Sequence, residues 1–318
     1  MEVRKVNGFF IIFVIGYIGL SVVCASIMAY AQNSGIAVPD WIQYVMSEGI
    51  ILLIAIIYMI VQKIDPIREI PYKRIGIVDV ILSLVAGYCL IPAVLLISNL
   101  SMLFSTNYLE EGTTTLLTYP FAMQVILLAV IPPLVEELIF RGIFFGSYRK
   151  AGMTGAALMS GLLFGCFHLN INQALYAFVM GIVFAYMVEA TGSLWSSVIA
   201  HFAVNTYSIG IVQILKMAGV YAQDGSVSET FENAESVAGQ STAITVVQIA
   251  MIAVIAAVFM MLAVLCIRTM AKRHGNLEKM KIQNVKLSHI KNYFTAPVIV
   301  GIVVCAMYMI MLEFSGTL

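Results

Sequence analysis

"IPPLVEELIFRGIFFG", Ile131 to Gly146, prolongs an apolar run that begins at Phe121. A helix needs about 20 apolar residues to cross the hydrocarbon of a bilayer, so the run reads as a membrane span. It nevertheless holds two adjacent carboxylates, Glu136 and Glu137, and an arginine, Arg141. On insertion scales each charge near a bilayer centre costs about 2.5–3.5 kcal/mol, which makes such residues functional candidates.

The rest of the chain repeats the apolar pattern without the charges. Of 318 residues, 61% are hydrophobic and 11% charged, and mean hydropathy is +0.97. Soluble domains are about 25% charged. The sequence therefore predicts an all-α, polytopic transmembrane helix bundle. Nine spans are expected, at 7–30, 47–62, 77–98, 120–146, 153–169, 173–190, 195–215, 243–267 and 294–313. A membrane barrel would show short alternating segments instead. The zero net charge gives no sign of a nucleic-acid partner.

Lysine and arginine placement orients the bundle. With the N-terminus inside, 15 of the 17 basic residues fall on the inner side: Arg4 and Lys5, four between Lys63 and Arg74, Arg149 and Lys150, and seven between Arg268 and Lys291. The expected outer loops are acidic, with Asp40, Glu110, Glu111, Asp224, Glu229, Glu232 and Glu235. Nine spans then put the C-terminus outside. Three regions are expected: residues 1–118 with three spans, a core at 119–215 that carries the charged and polar residues set within spans, and 216–318 with an outer acidic loop, a basic inner loop and two spans. The first apolar run is too long for an ordinary signal peptide and reads as an uncleaved helix. Cys24, Cys89, Cys166, Cys266 and Cys305 all fall in spans, and none forms a C-x-x-C pair. Neither a disulfide framework nor a zinc ribbon is indicated.

Most charges lie near span ends. This group includes Glu48, Asp79, Glu189 and Glu313, while His274 and His289 lie in the basic loop. Five groups do not: Glu136, Glu137, Arg141, His168 and His201. Glu137 and Arg141 are four apart with the glutamate first, the favourable order for an ion pair on one helix face. Glu136 points about 100° away, toward a possible cavity. Pro132 and Pro133 remove backbone donors just before it. His201 and Asn205 share a face of the seventh span. Singly, each polar residue also fits interhelical glue. Together they supply a carboxylate, two imidazoles and an amide, the parts for polarising water and stabilising an oxyanion. Small residues at Gly142/Gly146 and Gly161/Gly165 predict close helix packing.

In order, E-E-x-x-x-R (Glu136, Glu137, Arg141), F-x-x-x-H (Phe164, His168) and H-x-x-x-N (His201, Asn205) resemble the CPBP intramembrane proteases, also called the Abi family. That family includes the CAAX prenyl-protein endopeptidases and bacteriocin-processing or immunity proteins. The resemblance covers roughly residues 120–215. It implies that Glu136 and His168 activate water, that His201 and Asn205 stabilise the oxyanion, and that Glu137 and Arg141 hold the fourth span. It also implies a peptide or lipidated protein substrate at the bilayer. A divalent metal, most simply zinc on Glu136, His168 and His201, or no metal at all, fits the same side chains. H-E-x-x-H is absent. The apolar chain, short loops and lack of organelle signals suit a bacterial inner membrane. Two other readings stay open: a proton- or ion-coupled transporter, and a non-catalytic immunity or scaffold protein.

Depth along the bundle presents a conflict. By helical rise, Glu136 lies about 20 Å above Arg149 and His168 about 24 Å above Gly152, but His201 only about 10 Å above the inner end of its span. Either the helices tilt and kink, or the uncharged turn from Thr191 to Trp195 dips into the bundle.

Overall fold

The computed structural model describes residues 3–106, 119–219, 242–282 and 291–315. Nine apolar helices run through them: α1 (Val3–Asn33), α2 (Trp41–Val61), α3 (Ile77–Ser101), α4 (Phe121–Ala151), α5 (Met153–Phe167), α6 (Ile171–Thr191), α7 (Leu194–Met217), α8 (Thr242–Arg273) and α9 (Ala296–Ser315). Eight are long and apolar enough to cross a membrane, so this is an integral membrane protein. Among the described residues there is no strand. The expectation of nine full spans needs one correction. With 15 residues, α5 is about 22 Å long, short of the roughly 30 Å hydrocarbon.

Local chemistry stops α5 early. Its chain turns at Leu169, which adopts the left-handed conformation (φ 54°). Asn170 then caps α6, its side-chain oxygen accepting from the Gln173 backbone N–H at 2.9 Å. The next residues are tied down rather than solvated. Asn172 is buried and donates to Ser101 Oγ at 2.8 Å and to the Ser98 carbonyl at 3.0 Å.

The α6–α7 turn also ends inside the bundle. Thr191, Ser193, Leu194, Ser196 and Ser197 are all buried. Over them lies the segment after the one-turn helix Pro66–Glu69. The Leu194 N–H donates to the Pro71 carbonyl at 2.7 Å, and Ser193 Oγ donates to the Lys73 carbonyl. The turn from Thr191 to Trp195 therefore dips inward, which lifts the start of α7 and removes the depth conflict at His201.

Two apolar clusters meet around α4, α6 and α7. One joins α1, α2, α4, α5 and α9 and includes Phe9 and Phe140 stacked on Phe144, with Phe13 edge-on to Phe140. The other joins α3, α6, α7 and α8 through Leu90, Phe184, Val204 and Met270. Lipid is as apolar as these side chains, so close fit rather than water exclusion holds the helices. Gly161 and Gly165 supply that fit between α5 and α6: a Cβ there would stand 2.7 Å from the Phe178 carbonyl and 2.5 Å from the Ala174 carbonyl. Gly142 and Gly146 do not act as a matching pair. The three atoms nearest a Cβ on Gly142, at 3.2 to 3.7 Å, all belong to the Ile70 side chain, and a Cβ on Gly146 would find its nearest neighbour at 3.8 Å.

One end of the bundle gathers the described basic segments. Arg149 pairs with Glu189, and Arg273 Nε and His274 Nε2 lie 3.2 and 3.0 Å from the Asp79 carboxylate. Asp79 and Glu189, both near helix ends, are buried by these partners. His274, which shows no special role in the sequence, is part of this lock. At the same end Asn7 donates to the Tyr293 carbonyl and to Thr295 Oγ1, and accepts from Tyr148 Oη at 2.6 Å. Of the expected acidic loop residues, only Asp40 is described. His289 also lies outside the described residues.

Candidate active site

The fourth helix is wound unevenly around its charged residues. A π-helical stretch, Val125–Val130, precedes the α-helical turn Ile131–Glu137, and a second, Leu138–Phe145, follows it. Insertions of this kind are rare and concentrate at functional sites. Pro132 and Pro133 explain the first. The Leu128 carbonyl would accept from residue 132 in an α-helix and from residue 133 in a π-helix. Both are proline and have no N–H. Asn205 of α7 fills the vacancy, donating its side-chain N–H to Leu128 O at 2.9 Å.

Glu137 and Arg141 are both fully buried, and Arg141 Nη1 donates to Glu137 Oε1 at 2.8 Å. The same oxygen accepts from His201 Nδ1 at 3.0 Å. With Nδ1 donating to a carboxylate, His201 turns Nε2 toward Glu136, whose Oε2 is 3.7 Å away. Arg141 Nε and Nη2 have no hydrogen-bond partner among the described residues. Aromatic faces replace one: the guanidinium carbon sits 4.2 Å from the Phe164 ring centre and 5.2 Å from that of Phe184. A desolvated contact of this kind is worth about 2 kcal/mol. The same two rings flank His201, at 5.8 and 5.2 Å between centroids. Space for the guanidinium comes from Gly181, where a Cβ would stand 3.2 Å from Arg141 Nη2 and 2.6 Å from Gly161 Cα.

His168 closes α5. Its Nδ1 donates to the Phe164 carbonyl at 2.7 Å, and its ring meets Phe164 edge-on at 4.6 Å. Nε2 is thereby left as the free nitrogen. Glu136 and His168 both line one cavity of about 760 Å³, formed by α1, α2, the α5–α6 turn and α9. Burial of Glu136 is incomplete, with 14% of its side chain exposed.

The six expected residues thus divide. Glu136, Glu137, Arg141 and His201 form one connected cluster. His168 joins Glu136 through the shared cavity. Asn205 is engaged with the backbone of α4. Glu48 is a residue the sequence reading placed near a span end. It lines the same cavity, and its Oε2 is buried without a hydrogen-bond partner among the described residues. The structure begins α2 at Trp41, which sets Glu48 seven residues and about 10 Å into the helix, whereas the expected span 47–62 left it at the end. Tyr17 and Ser47, joined at 3.0 Å, line the cavity beside it.

A metal on Glu136, His168 and His201 does not fit this arrangement. Among the described residues no three His, Cys, Asp or Glu side chains are gathered closely enough to hold one. Both nitrogens of His201 already face carboxylates.

A family described as "Type II CAAX prenyl endopeptidase Rce1-like" matches residues 118–207. A protein of Bacillus subtilis (strain 168) named "Putative membrane peptidase YdiL" is 33% identical over 88 residues, which are 27% of this chain and 36% of that protein. The match therefore spans little more than a third of the relative's length. Both similarities support the CPBP/CAAX protease family. No solved structure matches the chain.

Proposed function

We propose, from the CAAX-protease resemblance of residues 118–207 and the cluster built on them, that this chain is an intramembrane endopeptidase. Its substrate would be a membrane-associated protein or a small secreted peptide, and its site the plasma membrane of a bacterium. The observation that carries the reading is that Glu136 and His168 share one cavity while Glu136 is backed by the buried relay His201–Glu137–Arg141.

In this reading a water in the cavity lies against the Glu136 carboxylate and His168 Nε2. Glu136 takes its proton as the oxygen attacks the peptide carbonyl carbon. The tetrahedral intermediate then collapses: the C–N bond breaks, and Glu136 returns the proton to the leaving amine. Glu137 fixes the tautomer and ring plane of His201, and His201 positions Glu136. Asn205 spends one amide N–H on Leu128 and retains a second for the oxyanion.

The test is cleavage by purified protein in lipid, using a fluorogenic peptide set with and without a prenyl group. Glu136→Gln and His168→Ala should each lose at least about a hundredfold in turnover, the usual scale for a general base, while still folding. Undiminished proteolysis by Glu136→Gln would sink the assignment.

A further inference from the structure

We propose that the cavity receives its peptide from the end of the bundle opposite the basic loops, and that Glu48 selects a cationic residue in that peptide. The proposal rests on the endopeptidase reading and names the class of substrate for the same site.

Geometry gives the side. Arg149 with Glu189, Arg273 with Asp79, and Asn7 with Tyr148 mark one end of the bundle, and the described basic loops lie there. The cavity is lined by Gln32 at the end of α1, by Asp40 and Gln43 at the start of α2, by Asn170 at the start of α6, and by Leu312 at the end of α9. All of these belong to the other end. Lysine- and arginine-rich segments stay in the cytoplasm. The mouth therefore faces away from it.

Charge gives the ligand. Among the described residues, the charged groups lining the cavity are Asp40, Glu48 and Glu136, with no lysine or arginine beside them. Glu48 brings a buried carboxylate oxygen without a hydrogen-bond partner among the described residues, in the same hollow as Glu136 and His168. A substrate cut close to its C-terminus, as a prenylated tail would be, carries a free carboxylate into a space that already holds three. A lysine or arginine side chain would instead supply the missing partner of Glu48. Like charges reject a ligand as effectively as opposite charges admit one.

Two measurements test this without depending on turnover. First, Gln43→Cys and Lys279→Cys, both at exposed positions, are treated in intact bacterial cells with a membrane-impermeant maleimide, against the chain with no added cysteine. Gln43→Cys should be labelled, and Lys279→Cys only after the cells are opened. The reverse pattern overturns the sidedness. Second, dye-labelled decapeptides with one lysine moved through each position, and norleucine counterparts, are titrated by anisotropy onto purified Glu136→Gln protein. The best lysine peptide should bind roughly tenfold tighter than its counterpart. Adding Glu48→Gln should reduce that ratio to below about twofold. Equal binding of both peptides, or a ratio indifferent to Glu48→Gln, overturns the charge selection. Wild-type protein that shows the binding preference but cuts none of the peptides would instead overturn the endopeptidase reading alone.

Discussion

Glu137 Oε1 lies 3.0 Å from His201 Nδ1, and the same oxygen accepts from Arg141 at 2.8 Å. One atom thus balances a buried cation and aims an imidazole. The two duties separate by mutation. Glu137→Ala leaves Arg141 buried without a counter-ion, which costs about 3–5 kcal/mol. Thermal unfolding in detergent should show that loss. Glu137→Ala with Arg141→Met should recover most of the stability, because a well-packed apolar pair replaces the ions. It should not recover proteolysis, since His201 would still lack its anchor. Full activity in the double variant would refute the positioning role of Glu137.

The Asn205–Leu128 contact admits a rescue experiment. Asn205→Leu leaves the Leu128 carbonyl unsatisfied, at a cost of about 1–2 kcal/mol. Pro132→Ala returns an N–H to the α-helical position opposite that carbonyl. Unfolding midpoints should rise again in the double variant. If Asn205 also serves the oxyanion, kcat stays low after stability is restored, with KM little changed.

Glycine substitutions should sort by what their new Cβ meets. Gly181→Ala would press on Gly161 Cα and Arg141, and Gly165→Ala on the Ala174 carbonyl. Each should destabilise by about 1–3 kcal/mol. Gly146→Ala has its nearest neighbour at 3.8 Å and should be close to neutral. Yield and melting temperature of the three variants decide the matter. A silent Gly181→Ala would mean that α5 and α6 do not approach as closely as described.

The buried α6–α7 turn sets the depth of His201. Ser193→Ala removes the donor to the Lys73 carbonyl and the cap that accepts from the Trp195 N–H at 3.3 Å. About 1 kcal/mol of local stability should go. Hydrogen exchange at the Leu194 amide, which is bonded to Pro71, should speed up severalfold. Exchange unchanged from wild type would show that the segment 70–73 does not hold the turn.

Hydropathy and spacing made part of this protein legible. Eight long apolar helices follow from run length alone, because lipid offers the backbone no hydrogen-bond partners and forces it to satisfy itself. The Glu137–Arg141 pair follows from a separation of four on a helix. Local sequence could not say how deep each helix begins. That depth depends on two turns tied to distant segments: Asn172, just after the turn at His168–Asn170, donates to Ser101 Oγ and to the Ser98 carbonyl, and the Leu194 N–H donates to the Pro71 carbonyl. Nor could it say that His201 would meet Glu137 rather than His168, that Asn205 would answer a carbonyl orphaned by two prolines, or that Glu48 would face the cavity. These are contacts between helices, fixed by close packing at glycines and by the shortage of polar partners in an apolar surround, and no single helix encodes them.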